Sequence, residues 1–140
     1  MSATADSSLI VALYLAEVDS ARADAACAAV PPPILLTDWH RVEIANAFQR
    51  AVKNGRITHA QAAQLWRDFT DDGNAGRFQI VAIDHAAVLA LTQKHTAATG
   101  TRSLDLIHIA TALEIEAADF LSLDHRQRLA ASDEGLNVIP

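Results

Sequence analysis

Asp105 is the side chain in this sequence whose surroundings most need a chemical explanation. It lies in the segment RSLDLIHIATAL (Arg102–Leu113), where apolar residues recur at helical spacing and fill most of the circumference. Such a helix is buried, and an ionised carboxylate within it is costly unless a cation or a set of donors compensates it. With Ser103 as the N-cap, the helix dipole offsets only about 0.3–1 kcal/mol. A metal ion is the obvious compensating charge; an Asp that caps its helix and touches solvent is the alternative.

Three further carboxylates fall where a parallel α/β sheet gathers side chains beside Asp105. Asp6 follows the presumed first strand, and Asp124 follows a later one. Glu43 lies in the first turn of a helix predicted at Val42–Val52, as Asp105 does in its own helix. Open parallel sheets bind their ligands beyond the carboxyl ends of the strands, so we expect the four acids at one edge. There they repel one another and raise each other's pKa unless a cation intervenes.

Four clustered carboxylates have the chemistry of a divalent metal site. Hard cations such as Mg²⁺ or Mn²⁺ prefer oxygen ligands. One or two such ions activate a water and stabilise the oxygens of a phosphodiester during an in-line displacement. Cys27 is the only cysteine and none of the six histidines forms a zinc spacing, so neither an internal disulfide nor a zinc cage is expected.

Length, charge and hydropathy narrow the class of protein. A chain of 140 residues predicts a single domain, 1–140, with a core large enough to fold alone. The net charge of −6 argues against a broad basic surface for nucleic acid, but a bound metal can supply positive charge locally to a nucleic-acid substrate. We see neither an apolar run long enough for a membrane span nor the basic start of a signal peptide, so we expect a cytoplasmic protein without membrane contact.

Strands and helices alternate along the chain, which predicts parallel pairing through right-handed crossovers. We therefore expect an α/β fold, a three-layer α/β/α sandwich around a mostly parallel sheet of four or five strands. Asp71–Asn74 is expected to be a loop, and Phe78–Ile83 a strand buried on both faces. The other predicted strands are Met1–Ala5, which is short and weak, Ile34–Leu36, Phe120–Leu123 and Leu136–Ile139; the predicted helices are Leu9–Glu17, Asp19–Ala29, Val42–Val52, Thr58–Phe69, His85–Thr96, the helix of Asp105 ending near Ala117, and Gln127–Ala131.

Four segments of the sequence resemble PIN-domain ribonucleases, and most closely the VapC toxins of bacterial toxin–antitoxin pairs. They are ADSSLIVALYL, VEIANAF, RSLDLIHIATAL and DFLSLD, and they span nearly the whole chain in this order. The resemblance implies Mg²⁺- or Mn²⁺-dependent endonuclease action on structured RNA, often tRNA or rRNA. It also implies a homodimer and a small antitoxin that inserts a segment into the site. By resemblance, Asp6, Glu43, Asp105 and Asp124 are the metal-binding catalytic quartet, and Ser8 is a hydroxyl beside it.

Other polar residues near the acids each have two interpretations. His108, one turn after Asp105, could orient that carboxylate or contact RNA, but we favour a hydrogen-bonded core histidine. Arg102 and Arg126 flank two of the acids and either hold phosphates or are solvated surface charges. The same two interpretations apply to His40 and Arg41 near Glu43.

Two functions remain open from the sequence. The first is a metal-dependent endoribonuclease, the toxin of a toxin–antitoxin pair; the second is a PIN-like binding or scaffold module with its acids unused. Retention of all four acids favours the enzyme. Phosphotransfer proteins on related folds are excluded: a haloacid-dehalogenase phosphatase requires a second Asp where Ser8 stands, and a receiver domain requires a paired acid and a Lys that are absent here.

Overall fold

Five parallel strands form one sheet in a computed structural model, which describes residues 2–140. The strands lie side by side in the order β3-β2-β1-β4-β5, and every neighbouring pair is parallel. This confirms the predicted α/β class and parallel sheet. Within the described residues the elements are β1 (Ala3–Ala5), α1 (Ser7–Tyr14), α2 (Ser20–Ala28), β2 (Ile34–Thr37), α3 (Asp38–Lys53), α4 (His59–Asn74), β3 (Phe78–Val81), α5 (His85–Thr99), α6 (Ser103–Glu114), β4 (Asp119–Leu121), α7 (His125–Asp133) and β5 (Asn137–Ile139).

Two apolar cores cover the two faces of the sheet. Helices α1–α4 contribute to one core and α5–α7 to the other. Successive strand residues divide between them, since Leu121 belongs to the first core and Phe120 to the second. The result is the expected three-layer arrangement, with α6 packed across the central strands. None of the helices found in residues 2–140 has the length and apolar character needed to cross a membrane.

The central strand β1 is built from small side chains. Ala3, Thr4 and Ala5 are completely buried, and β1 pairs with β2 on one side and β4 on the other. Because Ala and Thr occupy little volume, α6 can approach β1 closely. The predicted strand began at Met1, which lies outside the described residues.

Strand β3 is an edge strand, so the prediction of burial on both faces was wrong. It pairs only with β2, and Gln79 and Ile80 are exposed while Phe78 is buried. A short apolar run identifies a strand but not its place in the sheet.

The predicted loop at Asp71–Asn74 is the last turn of α4. The chain leaves the helix only at Gly76, whose positive φ of 88° ends it. Asp72 is held within this turn because its carboxylate accepts hydrogen bonds from the Tyr14 hydroxyl and the Arg77 guanidinium. A cluster of polar residues therefore ended the predicted helix one turn too early.

The limits of α6 also differ from the prediction. It ends at Glu114 and not near Ala117, and Glu116 then takes a positive φ of 50°. Arg102, not Ser103, occupies the N-cap position, and no side chain caps this helix. The first-turn N–H groups beside Asp105 are therefore not satisfied by a capping side chain.

Candidate active site

The four predicted acids lie at the carboxyl edge of the sheet. Asp6 and Asp124 are the N-caps of α1 and α7, which follow β1 and β4. Asp105 lies in the first turn of α6. Glu43 lies in the second turn of α3, and not in the first as predicted, because α3 begins at Asp38 directly after β2. Parallel strand direction thus brings four distant segments to one edge.

Asp6 is a buried carboxylate with a nearly complete set of donors. Its Oδ2 accepts from the Ser8 backbone N–H at 3.2 Å and from the Ser8 hydroxyl, and its Oδ1 accepts from Gln127 Nε2 at 3.3 Å. The Asp6 backbone N–H donates to the carbonyl of Leu121 at 2.8 Å, which fixes it to β4. Asp6 is also the N-cap of α1, although Ser7 and Ser8 are residue types that favour this position.

Glu43 is held by two side chains from other elements. Its Oε1 accepts from the Ser7 hydroxyl at 3.0 Å and from His108 Nε2 at 2.9 Å. His108 Nε2 also lies 3.9 Å from Asp6 Oδ1. His108 is completely buried and therefore cannot contact RNA, and its hydrogen bonds go to Glu43 and Ser7 rather than to Asp105. The favoured interpretation, a hydrogen-bonded core histidine, is the correct one, and this histidine lies between two of the acids.

His40 is a second buried histidine, stacked on His108 with 3.9 Å between ring centroids. Its Nδ1 accepts from the Thr37 backbone N–H at 2.9 Å, and its Nε2 donates to the Ala5 carbonyl at 2.7 Å. Burial, and then the neighbouring His108, hold the pKa of His40 well below its usual value. Both predictions for His40, phosphate contact and surface charge, were wrong. His40 is therefore a neutral side chain that joins the end of β1 to the start of α3 by hydrogen bonds.

Arg41 has the surface role that was one of its two interpretations. Its guanidinium is exposed and lies 3.2 Å from Asp38, one turn earlier on α3. Exposed pairs of this kind contribute little to stability.

Gln127, like Ser7, is a site residue that the sequence did not predict. It is completely buried, and its Nε2 donates to the main-chain carbonyl of Asp105 at 2.9 Å as well as to Asp6. Its Oε1 accepts from the Ser122 hydroxyl at 2.7 Å, and its backbone N–H donates to Asp124 Oδ1 at 2.9 Å. The spacing D-x-x-Q is that of a capping box and was the available signal. A capping box directs the glutamine toward its own helix cap, whereas here it reaches two other acidic segments.

Asp105 is a half-buried carboxylate whose pKa responds to burial and to the neighbouring acids. Its pKa is raised, chiefly by burial, next by Asp6 and, more weakly, by Asp124, while His108 and Arg102 oppose the shift. The donor set, carboxylate oxygens from separate elements, matches the preference of Mg²⁺ or Mn²⁺. Within residues 2–140, however, no three Asp, Glu, His or Cys side chains stand close enough to hold one ion. Metal binding therefore requires these side chains to change rotamer.

Two solved structures, one of them a VapC toxin, share the fold of this chain. VapC20 of Mycobacterium tuberculosis, a sarcin–ricin loop cleaving toxin, has a similar fold, with a TM-score of 0.67 and 14% identity over 99% of each chain. FitAcB from Neisseria gonorrhoeae is similar with a TM-score of 0.68 and 14% identity, over 99% of this chain and 96% of that one. At this identity the likeness establishes the fold alone. No protein-family model matches the sequence, and no curated protein matches it either.

Proposed function

We propose that this protein is a metal-dependent endoribonuclease that cleaves RNA phosphodiester bonds. The observation that carries the proposal is the placement of four carboxylates at the carboxyl edge, where burial, then Asp6 and more weakly Asp124 raise the pKa of Asp105. Uncompensated acids at one place are unfavourable, and a divalent cation relieves that cost. The fold shared with VapC20, a sarcin–ricin loop cleaving toxin, supports RNA as the substrate.

In this proposal the four acids hold one or two Mg²⁺ or Mn²⁺ ions. When bound, the ion supplies positive charge for the phosphodiester and a water of lowered pKa. His108 and Ser7 hold the Glu43 carboxylate, and Ser8 and Gln127 hold the two oxygens of Asp6. These contacts keep the Asp6 and Glu43 carboxylates at the carboxyl edge of the sheet, from which a change of rotamer would bring them to an ion.

Metal binding is expected to raise the melting temperature of the protein at neutral pH. The ion binds the folded cluster and not the unfolded chain, so a concentration of 100 times Kd stabilises by about 2.7 kcal/mol. Asp6→Asn should reduce this shift because it removes one ligand charge. The measurement is thermal unfolding with EDTA, Mg²⁺ or Mn²⁺, with Asp119→Asn as the control. Asp119 begins β4 at the opposite edge of the sheet, so its variant should keep the full shift. A melting temperature indifferent to both ions at millimolar concentration contradicts the metal site.

The second candidate function is a PIN-like binding or scaffold module. Its support is that Asp6 and Glu43 are already engaged by internal donors and that the described side chains form no three-ligand cluster. The two functions differ in the metal titration, since a scaffold gains no stability from Mg²⁺ or Mn²⁺.

We further propose that the protein is the toxin of a toxin–antitoxin pair, acts in the cytoplasm as a homodimer, and cleaves a tRNA or rRNA. The support is the fold shared with VapC20 and the sequence resemblance to VapC toxins. A small antitoxin would block the acids with an Arg or Lys, whose charge-assisted hydrogen bonds replace the metal. Expression of the chain alone should slow bacterial growth, and co-expression of the neighbouring gene should restore it. Normal growth at high expression, in a host that contains the target RNA, contradicts the toxin role but not the nuclease.

A further inference from the structure

A groove leads away from the candidate active site along α3. A cavity of about 410 Å³ has Ser7, Ser8 and Glu43 at its site end and Arg50 and Arg102 among its other walls. A second cavity, of about 190 Å³, shares Arg50 with the first and continues past it toward the end of α3. The two together form one path that starts at the acids.

The groove contains cations that have no partner. The chain has 11 Lys and Arg residues, and most of their side chains form ion pairs or hydrogen bonds within the protein. Among residues 2–140, four of these side chains form neither an ion pair nor a hydrogen bond, namely those of Arg50, Lys53, Arg102 and Arg126. Two of the four, Arg50 and Arg102, line the groove.

The carboxylates in the groove do not neutralise these two arginines. Glu17 lies 3.9 Å from Arg56, so its charge is already matched. Glu43 forms no ion pair with Arg50 or Arg102, and its hydrogen bonds are with Ser7 and His108. In a protein of net charge −6, the groove is thus a place where unpaired positive charge adjoins the acids. The ligand that complements this charge is an anion long enough to extend from the acids into the groove.

The spacing along α3 indicates what kind of anion fits. Arg50 follows Glu43 by seven residues, two helical turns, so both face the groove and lie about 10 Å apart along the axis. A phosphate bound by Arg50 is therefore not the one that lies at the acids, but another phosphate of the same strand. The larger cavity has the size of sites that enclose one small ligand, which suits nucleotides of a single strand and not both strands of a duplex.

We propose that this groove binds a single-stranded RNA segment on one side of the cleaved bond, with Arg102 and Arg50 contacting its phosphates. The inference rests on the proposed ribonuclease function and adds the direction in which the substrate leaves the acids. It also assigns a binding role to Arg50, which the sequence did not distinguish from other surface arginines.

The test is RNA binding by Arg50→Gln and Arg102→Gln, each in an Asp105→Asn protein so that no cleavage occurs. The probe is a short single-stranded RNA oligonucleotide, with binding followed by fluorescence anisotropy in EDTA over a series of monovalent salt concentrations. Each variant should reduce the slope of log K against log salt by about 0.7 and weaken binding about fourfold at physiological salt. Lys53→Gln is the matched control, because Lys53 is also exposed and unpaired on α3 but does not line the groove.

The outcomes separate the groove from the nuclease. If Arg50→Gln binds RNA as tightly as Lys53→Gln while the wild-type protein cleaves RNA with Mg²⁺, the groove proposal is overturned and the nuclease stands. An RNA duplex that competes as well as the single strand also overturns it. If the wild-type protein neither binds nor cleaves RNA, the proposed function fails and the groove proposal fails with it.

Discussion

Asp105→Asn is expected to reduce Mg²⁺-dependent RNA cleavage by at least about 100-fold while leaving the fold intact. Loss of even a residue that hydrogen-bonds to a metal ligand lowers metal affinity or activity by about 10–100-fold, so loss of a ligand should cost at least as much. The substitution keeps the shape of the side chain and removes a negative charge that faces Asp6 and Asp124. The measurement is the initial cleavage rate of an RNA substrate at fixed Mg²⁺, with circular dichroism as the check on folding. A folded Asp105→Asn protein with an undiminished rate would refute the assignment of the site.

The same variant has an opposite effect on stability. Because the folded-state pKa of Asp105 is raised, its contribution to stability is complete below the unfolded pKa and is lost as pH rises through the folded pKa. At pH 7 the ionised side chain therefore lowers the stability of the metal-free protein. Asp105→Asn should raise the melting temperature in EDTA, and the gain should disappear as the pH falls toward about 4, the unfolded pKa of an Asp.

Asp119→Asn is the matched control for this prediction. Asp119 is the first residue of β4, and Asn137 donates a hydrogen bond of 2.6 Å to its carboxylate. It is therefore at the amino edge of the sheet, remote from the acids. Near wild-type cleavage is expected. If Asp119→Asn were inactive and Asp105→Asn active, the site would lie at the amino edge of the sheet, and the assignment of the four acids would be wrong.

Gln127→Leu is expected to lower both cleavage and stability. It removes one donor each from the Asp105 carbonyl and from Asp6, and it leaves the buried Ser122 O–H without an acceptor. An unsatisfied buried donor costs about 1–3 kcal/mol and each lost hydrogen bond about 0.5–1.5 kcal/mol, so the free energy of unfolding should fall by about 2–6 kcal/mol. A residue that orients a ligand typically affects metal affinity or activity by about 10–100-fold. Cleavage should fall by that factor at a temperature where the variant remains folded.

The metal-induced rise in melting temperature distinguishes positioning from mere stability in Gln127→Leu. If Gln127 orients Asp6 for metal binding, the rise at a given Mg²⁺ concentration should be smaller than in the wild type. Leu129→Ala is the control, because Leu129 is exposed on the same helix and its apolar side chain cannot orient a carboxylate. A Gln127→Leu protein with a reduced melting temperature but the full metal-induced rise would show that Gln127 only stabilises the fold.

Much of the fold and the location of the acids follow from local sequence pattern. Alternating apolar segments of strand and helix length require parallel pairing, and parallel pairing sends every strand end to the same edge. Asp6 and Asp124 could therefore be placed at that edge because each follows a strand. Asp84 could be recognised as the cap of α5 for an equally local reason, since its carboxylate accepts from the N–H groups of Ala86 and Ala87.

The side-chain network behind the acids depends on residues that are far apart in sequence. His108 meets Glu43 across 65 positions, and Gln127 meets Asp6 across 121. A histidine or glutamine has the same local pattern whether it faces solvent, caps its helix or bridges two carboxylates. Which of these occurs depends on how closely α3, α6 and α7 pack around the sheet.

The sequence by itself therefore determined the class of fold, the strand direction and the edge where the acids meet, because these depend on periodicity and chain connectivity. Only the tertiary structure decided that β3 lies at the sheet edge, that His40 is buried against His108, and that Gln127 reaches Asp6. Each of these depends on which surfaces the other elements leave uncovered. Burial then selects the conformation in which polar side chains find partners, because an unpaired buried polar group is costly.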